Sequence, residues 1–249
     1  MSNQIQIIIL AAGLGKRMKN KELPKALVLF KGQPLIKYLL ALIKSSGICD
    51  KPVIVVGKMA EKVKETLGPN YIYVFQAEQL GTGHAVMCAK GELVGKAENI
   101  LVLYGDQPLI TAETIRKLAG IHLAGEQVLT MGTVQVPNFE DWRVGFSDFG
   151  RINRDSAGKV CGIIEKKDAT AEQLNIKEIN PGYYCFKADW LWQNLTNLKD
   201  NNAAGELYLT DLLGLACQQG KEITTVEIEP KEALGINTEG QLEAIEKLI

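Results

Sequence analysis

Two cations and one carboxylate stand where chemistry is easiest to imagine: Arg17, Lys25 and Asp106. Arg17 closes the stretch "LAAGLGKR", which follows an apolar run from Ile7 to Leu10, and Lys25 comes directly after Pro24. A guanidinium can fork across two phosphate oxygens, and the proline restricts the backbone just before the lysine, so both suit a triphosphate. Asp106 ends the apolar segment "LVLYGD", and ligands of open α/β sheets gather beyond the carboxyl ends of strands. Mg²⁺ takes one or two carboxylates and fills its shell with phosphate oxygens and water, so a single carboxylate there suits a nucleotide-borne ion. Taken singly, Lys16, Lys19 and Lys21 read as a solvated rim.

These residues need elements to hold them. Strand-length apolar runs at Gln4 to Leu10, Pro52 to Val56, Tyr71 to Phe75 and Asn99 to Tyr104 alternate with helix-period segments, the pattern of βαβ units. Leu35, Leu39, Leu42 and Ile43 fall on one helical face that Gly47 would end, and Thr111 would cap a helix carrying Ile115, Leu118 and His122. Beyond residue 125 the strands are Gln127 to Val134, Val160 to Glu165 and Tyr183 to Phe186. Helices then return with Leu209, Leu212, Leu213 and Ala216 on one face and Leu242, Ile245 and Ile249 on another. The fold class is α/β: one Rossmann-like domain with a mixed, mainly parallel central sheet flanked by helices.

The opening loop fits neither familiar phosphate motif. A dinucleotide fingerprint needs glycine where Met18 stands, and a P-loop needs glycine and a hydroxyl where Leu10 and Arg17 stand. A nicotinamide-dependent oxidoreductase would also need an acid ending the second strand, which ends instead in Val55, Val56 and Gly57. The formal net charge of -1 leaves no global field for nucleic acid or an anionic membrane, so anion binding is local. Five cysteines (Cys49, Cys88, Cys161, Cys185 and Cys217) without a Cys-x-x-Cys pair read as reduced, mostly buried thiols of a cytoplasmic protein. Two histidines exclude a histidine-rich metal cage; His84 reads as structural, since nothing beside it completes a base and its orienter.

"LAAGLGKRM" with the following "LPK" resembles the signature of sugar-1-phosphate nucleotidyltransferases. "QAEQLGTGHA" (76 to 85), "LYGDQPLI" (103 to 110), "GRI" (150 to 152), "IIEKKDAT" (163 to 170), "EIN" (178 to 180), "GELYLTDLL" (205 to 213) and "GIN" (235 to 237) extend the likeness in the same order. The nearest likeness is to the uridylyltransferase domain of the bifunctional bacterial enzymes that make UDP-N-acetylglucosamine. The resemblance implies a nucleotidyltransferase domain over 1–249, with a nucleotide-binding half (1–125) and a sugar-binding half (126–249). It implies nucleotide contacts at Leu10, Ala11, Ala12, Gly13, Gly15, Lys25, Gln76, Gly81, Thr82, Tyr104 and Gly105. Sugar contacts are implied at Gly150, Glu165 and Asn180, catalytic roles for Arg17, Lys25 and Asp106, and Mg²⁺ on Asp106 and Asn237. By itself Asn237 reads as the N-cap of the last helix. Gly81 and Gly83 leave backbone bare enough to approach a flat ring, and Gln76 offers a donor and an acceptor to a base edge.

The substrates implied are UTP and a sugar-1-phosphate, N-acetylglucosamine-1-phosphate first. Another base or acceptor (a hexose-1-phosphate, or the molybdenum-cofactor type of transfer) and a non-catalytic nucleotide-sugar sensor stay open. Two departures bear on the acceptor: Pro181 stands where the family has threonine, and the segment 138–149 is longer than the family pattern and carries Trp142 and Arg143. No hexapeptide repeats occur in these 249 residues, so the acetyltransferase activity and trimerisation that such repeats support are not expected of them.

Overall fold

The computed structural model describes residues 3–13, 15, 17–18 and 23–249, so Lys16, Lys19 and Lys21 lie outside the described residues. The first half runs β1 (Asn3–Ala11), a small hairpin of β2 (Leu29–Phe30) and β3 (Gln33–Pro34), α1 (Leu35–Ser46), β4 (Val53–Val56), α2 (Ala60–Leu67), β5 (Ile72–Phe75), α3 (Thr82–Cys88), α4 (Lys90–Leu93), β6 (Ala97–Tyr104) and α5 (Ala112–Ala124). Then come β7 (Leu129–Gln135), β8 (Arg151–Arg154), β9 (Val160–Ile164), β10 (Glu178–Ile179), β11 (Tyr184–Lys187), α6 (Ala188–Asn194), α7 (Asp211–Gln218), β12 (Ile223–Glu227) and α8 (Glu239–Leu248).

The main sheet has the order β5-β4-β1-β6-β11-β7-β10-β8-β9, with β12 also on β7. From β5 to β6 every pairing is parallel. β11 enters antiparallel between β6 and β7, and the short strands β8, β9 and β10 form an antiparallel extension. β1 is covered on both faces, which explains its unbroken apolar run. Ile7 and Ile9 pack with Leu35, Leu39, Ile43, Ile115 and Leu118 on one side. On the other, Ile8 packs with Val86, Leu191 and Leu212.

Local signals place the helix ends. Gly47 takes a left-handed φ of 70° and ends α1. The Thr111 hydroxyl accepts from the Thr114 amide at 3.1 Å and starts α5. His122 is fully buried on α5, bridging Thr130 Oγ1 at 2.9 Å and Asn99 Oδ1 at 3.1 Å. Burial, with Lys187 adding, lowers its pKa to about 4, so it is a neutral core residue.

Some expectations fail. Ile249 is 58% exposed, and the stripe of α8 that packs on the core is Ile245, buried, with Leu242 and Leu248 partly buried beside it. Leu209 is buried but precedes α7, which begins at Asp211. Only Cys49 and Cys185 are buried; Cys88, Cys161 and Cys217 are partly exposed, and all five are free thiols. No helix among the described residues is long and apolar enough to cross a membrane.

Candidate active site

Four parallel strands end level. Ala11 pairs with Val56, Val56 with Phe75, and Leu10 with Tyr104. The residues just beyond, Ala12, Gly57, Gln76 and Gly105, therefore share one rim, at the switch where β1 has β4 on one side and β6 on the other. The rim leaves no room for a side chain at Gly57, whose Cβ would lie 2.6 Å from the Ala12 carbonyl oxygen. A cleft of about 270 Å³ opens there. It is lined by Leu10, Ala11, Ala12, Gly13, Lys25, Gln76, Gly81, Thr82, Tyr104, Gly105 and Asp106, which the sequence had singled out. Gly15 lies just outside this lining: its φ is +61°, and a Cβ there would touch the Lys25 side chain.

The charges converge across the chain. The Lys25 ammonium donates to Asp106 Oδ2 and to Asn237 Oδ1. Arg17, more exposed at the rim, donates to the same Asn237 oxygen at 3.1 Å and lies 3.9 Å from Asp148. A carboxylate and an amide oxygen thus aim at one cation-sized point, a hard-oxygen pair that fits Mg²⁺ whose shell is completed by phosphate and water. Among the described residues no three His, Cys, Asp or Glu side chains form a metal cage. Asn237 is not the helix cap. Thr238 caps α8 in a capping box with Gln241, and the Asn237 amide donates to Gln241 Oε1 at 2.7 Å. The asparagine side chain is thereby left to face Lys25.

The turn after β5 has a different logic from the one expected. Gly81 has a φ of 106°, and its Cβ would lie 2.6 Å from the Leu207 carbonyl oxygen; at Gly83 the same oxygen would be 3.0 Å away. The glycines make room for a second backbone segment. That segment is clasped by Leu207 N to Leu80 O at 2.7 Å, Gly83 N to Leu207 O at 2.8 Å, and Leu209 N to Thr82 Oγ1 at 3.0 Å. Gln76 is oriented through its amide nitrogen, which lies 3.1 Å from Gly81 O and 3.1 Å from His84 Nδ1. His84 serves as a support for Gln76.

Gly150, Glu165 and Asn180 come together by register. Arg151 pairs with Ile164 and with Ile179, so the residue beside each arrives at one end, and the Asn180 amide donates to Gly150 O at 2.9 Å. Glu165 accepts from Thr210 Oγ1 at 3.0 Å. Burial raises its pKa, and the neighbouring charges of Asp211, Asp168 and Glu206 add to this. Tyr104 borders both groups. Burial raises its phenol first, followed by the charges of Glu165 and Asp106. Gly182 packs so closely on its ring that a Cβ would lie 2.7 Å away. Pro181 is anchored through its carbonyl by Gln107 Nε2 at 2.7 Å. Trp142 stacks edge-on with Phe146 and, with α8, lines a separate apolar pocket.

Ala26, Gln79, Ala85 and Glu206 also line the cleft, and no motif marks them in the sequence. Gln79 Nε2 donates to the Ala12 carbonyl at 2.5 Å, tying the turn to the first loop. Gln79 and Glu206 stood inside "QAEQLGTGHA" and "GELYLTDLL", but no spacing rule distinguished them from their neighbours.

Comparison with known proteins adds a family. The family model for MobA-like NTP transferase domains matches residues 7–144. The bifunctional protein GlmU of Acetivibrio thermocellus is 42% identical over 246 residues, 98% of this chain and 51% of that protein. Its namesake in Desulfotalea psychrophila is 37% identical over 243 residues, 96% of this chain and 69% of that protein. The chain spans about half the length of most of the curated relatives it matches. Among solved structures, a protein described as a glucose-1-phosphate thymidylyltransferase from Bacillus anthracis, in complex with sucrose, superimposes with a TM-score of 0.77 at 22% identity, covering 98% of this chain and 94% of that one. A UDP-glucose pyrophosphorylase complexed with UDP-glucose gives 0.77 at 19% identity, over 98% and 97%. At that identity these two speak for the fold.

Proposed function

Since the chain belongs to the family of MobA-like NTP transferase domains and is a nucleotidyltransferase, we propose that it transfers a uridylyl group from UTP to a sugar-1-phosphate, N-acetylglucosamine-1-phosphate first among acceptors, releasing pyrophosphate. The observation that carries the reading is the convergence of Asp106 and Asn237 on the Lys25 ammonium at the edge of the cleft that the Gln76 to Thr82 turn lines; Gly150, Glu165 and Asn180 lie outside that lining and are tied to it through Tyr104, whose phenol feels the charge of Glu165. Residues 1–125 supply most of the nucleotide side and 126–249 the sugar side, with Glu206 and Asn237 crossing over.

An oxygen of the sugar phosphate attacks the α-phosphorus, and the bond to the pyrophosphate oxygen breaks. The attacking oxygen is already anionic, so no side chain has to remove a proton. Alignment and charge neutralisation are the tasks that remain. Arg17 and Lys25 neutralise the departing pyrophosphate, with the amides of Ala12, Gly13 and Gly15 contributing. Asp106 and Asn237 would hold Mg²⁺, which when bound supplies positive charge to the phosphate oxygens. Gln76, Gly81 and Thr82 bind the base side, while Glu165 and Asn180 offer acceptors and a donor to sugar hydroxyls.

A hexose-1-phosphate acceptor is favoured by one feature, Pro181, which lacks the amide and hydroxyl of the threonine it replaces beside Asn180. Incubation with UTP, Mg²⁺ and either N-acetylglucosamine-1-phosphate or glucose-1-phosphate, read by mass spectrometry of the nucleotide sugar, decides between them. Formation of UDP-N-acetylglucosamine is expected. Binding of nucleotide sugar without any product would make the protein a sensor and overturn the reading.

A further inference from the structure

Arg151 is 1% exposed, yet no carboxylate is bonded to it among the described residues. The acidic neighbour that it feels, Asp148, pairs instead with Lys166 at 2.6 Å. The guanidinium spends its donors on backbone carbonyls: Ser147 at 3.2 Å, Phe149, and Leu174 from two nitrogens at 3.4 Å. Its carbon sits 4.6 Å from the centre of the Phe139 ring. Meanwhile the Arg151 backbone lies at the centre of the three short strands, paired with Ile164 on β9 and Ile179 on β10. Gly150, Glu165 and Asn180 are the next residues along those three strands.

Resting on the functional reading above, we propose that Arg151 is a positioning residue for the sugar-binding cluster beside the cleft. Its side chain pins the carbonyls that lead into Gly150 and the turn that leads into β10, and so fixes the row formed by Gly150, Glu165 and Asn180. The fork geometry is what matters. A lysine keeps the charge but presents its donors from a single nitrogen, so it cannot span carbonyls from three places at once. Misplacing an acceptor row by a fraction of an ångström weakens binding of the substrate that it addresses, while the parallel-strand rim some residues away keeps its shape.

The test compares wild type with Arg151→Lys and with Phe139→Leu, which keeps the guanidinium and removes the ring beneath it. Steady-state kinetics with UTP and N-acetylglucosamine-1-phosphate are read together with amide hydrogen exchange. Arg151→Lys is expected to raise KM for the sugar phosphate about tenfold or more while KM for UTP and kcat stay within about threefold. Phe139→Leu should move the same constant less far. Exchange should quicken at the Asn180 amide, which bonds to Gly150, and stay unchanged at the Gly105 amide, which bonds to Leu10. Equal rises in both KM values, an unchanged sugar KM, or exchange that quickens evenly at both amides would overturn the proposal. If wild type transfers nothing to any sugar-1-phosphate, the functional reading fails, and the contrast between the two amides still decides whether Arg151 positions this row.

Discussion

The rim at the ends of the parallel strands, proposed above as the nucleotide side, and the cluster of Gly150, Glu165 and Asn180, proposed as the sugar side, are built differently. The nucleotide side is the level end of four parallel strands, where backbone, three glycines at close approaches (Gly15, Gly57 and Gly81) and a few charged tips make the surface. The sugar side is the end of three short antiparallel strands, where a buried guanidinium stands behind a row of polar groups that includes a half-buried carboxylate. The first design tolerates most changes that spare its glycines and charges. The second spends stability on a buried guanidinium and a partly desolvated carboxylate, so it should respond to pH and to conservative substitution.

The largest effect is expected on the nucleotide side. Asp106→Ala or Lys25→Ala should lower turnover by roughly a thousandfold, because each removes charge directed at the reacting phosphates, while the melting temperature stays near that of wild type. Retained activity in either folded variant would break the assignment of roles. Next in size, Gly81→Ala combines a φ of 106° with a contact of 2.6 Å to the Leu207 carbonyl oxygen. A destabilisation of about 2–4 kcal/mol is expected by urea unfolding, with weakened UTP binding, since a strained backbone position is among the few causes of large losses.

On the sugar side the expected sign reverses. Glu165 has a folded pKa raised above the ordinary carboxyl value by burial and by Asp211, Asp168 and Glu206, so its ionised form costs stability above that raised pKa and nothing below the ordinary 4.5. Glu165→Gln should therefore raise the melting temperature at pH 8, with the gain fading toward pH 4.5, while KM for the sugar phosphate rises. A variant destabilised at pH 8 would show that the carboxylate is well paired and the contrast misplaced. The smallest effect on function belongs to a residue on neither side. His122 has its pKa lowered from 6.5 to about 4, so it contributes stability above pH 6.5 that is lost as pH falls toward 4. Acid unfolding should become shallower in His122→Gln over that window, with both KM values unchanged.

How far the sequence revealed each side follows from the same difference. β1 was legible because both of its faces are buried, and the ends at Gly47 and Thr111 were legible because each uses a local signal, a left-handed φ or a hydroxyl cap. Lys25 and Asp106 stood out through proline and strand-end rules that need no distant partner. The function of Arg151 depends on carbonyls at 147, 149 and 174 that only the folded chain brings together, so it passed as one residue of a short motif. Gly81 and Gly83 were recognised as special, but the segment that requires them lies more than a hundred residues later, at Leu207. Asn237 was read as a cap because capping is a local rule, and it was Thr238, one residue on, that met the geometry.

Pyrophosphate release across the four ribonucleoside triphosphates, each paired with N-acetylglucosamine-1-phosphate, glucose-1-phosphate or no acceptor in the presence of Mg²⁺, tests the central claim most directly. The account predicts the highest kcat/KM for UTP with N-acetylglucosamine-1-phosphate and no release when the acceptor is omitted. Release from no pair, or UTP performing no better than CTP and GTP, would contradict it.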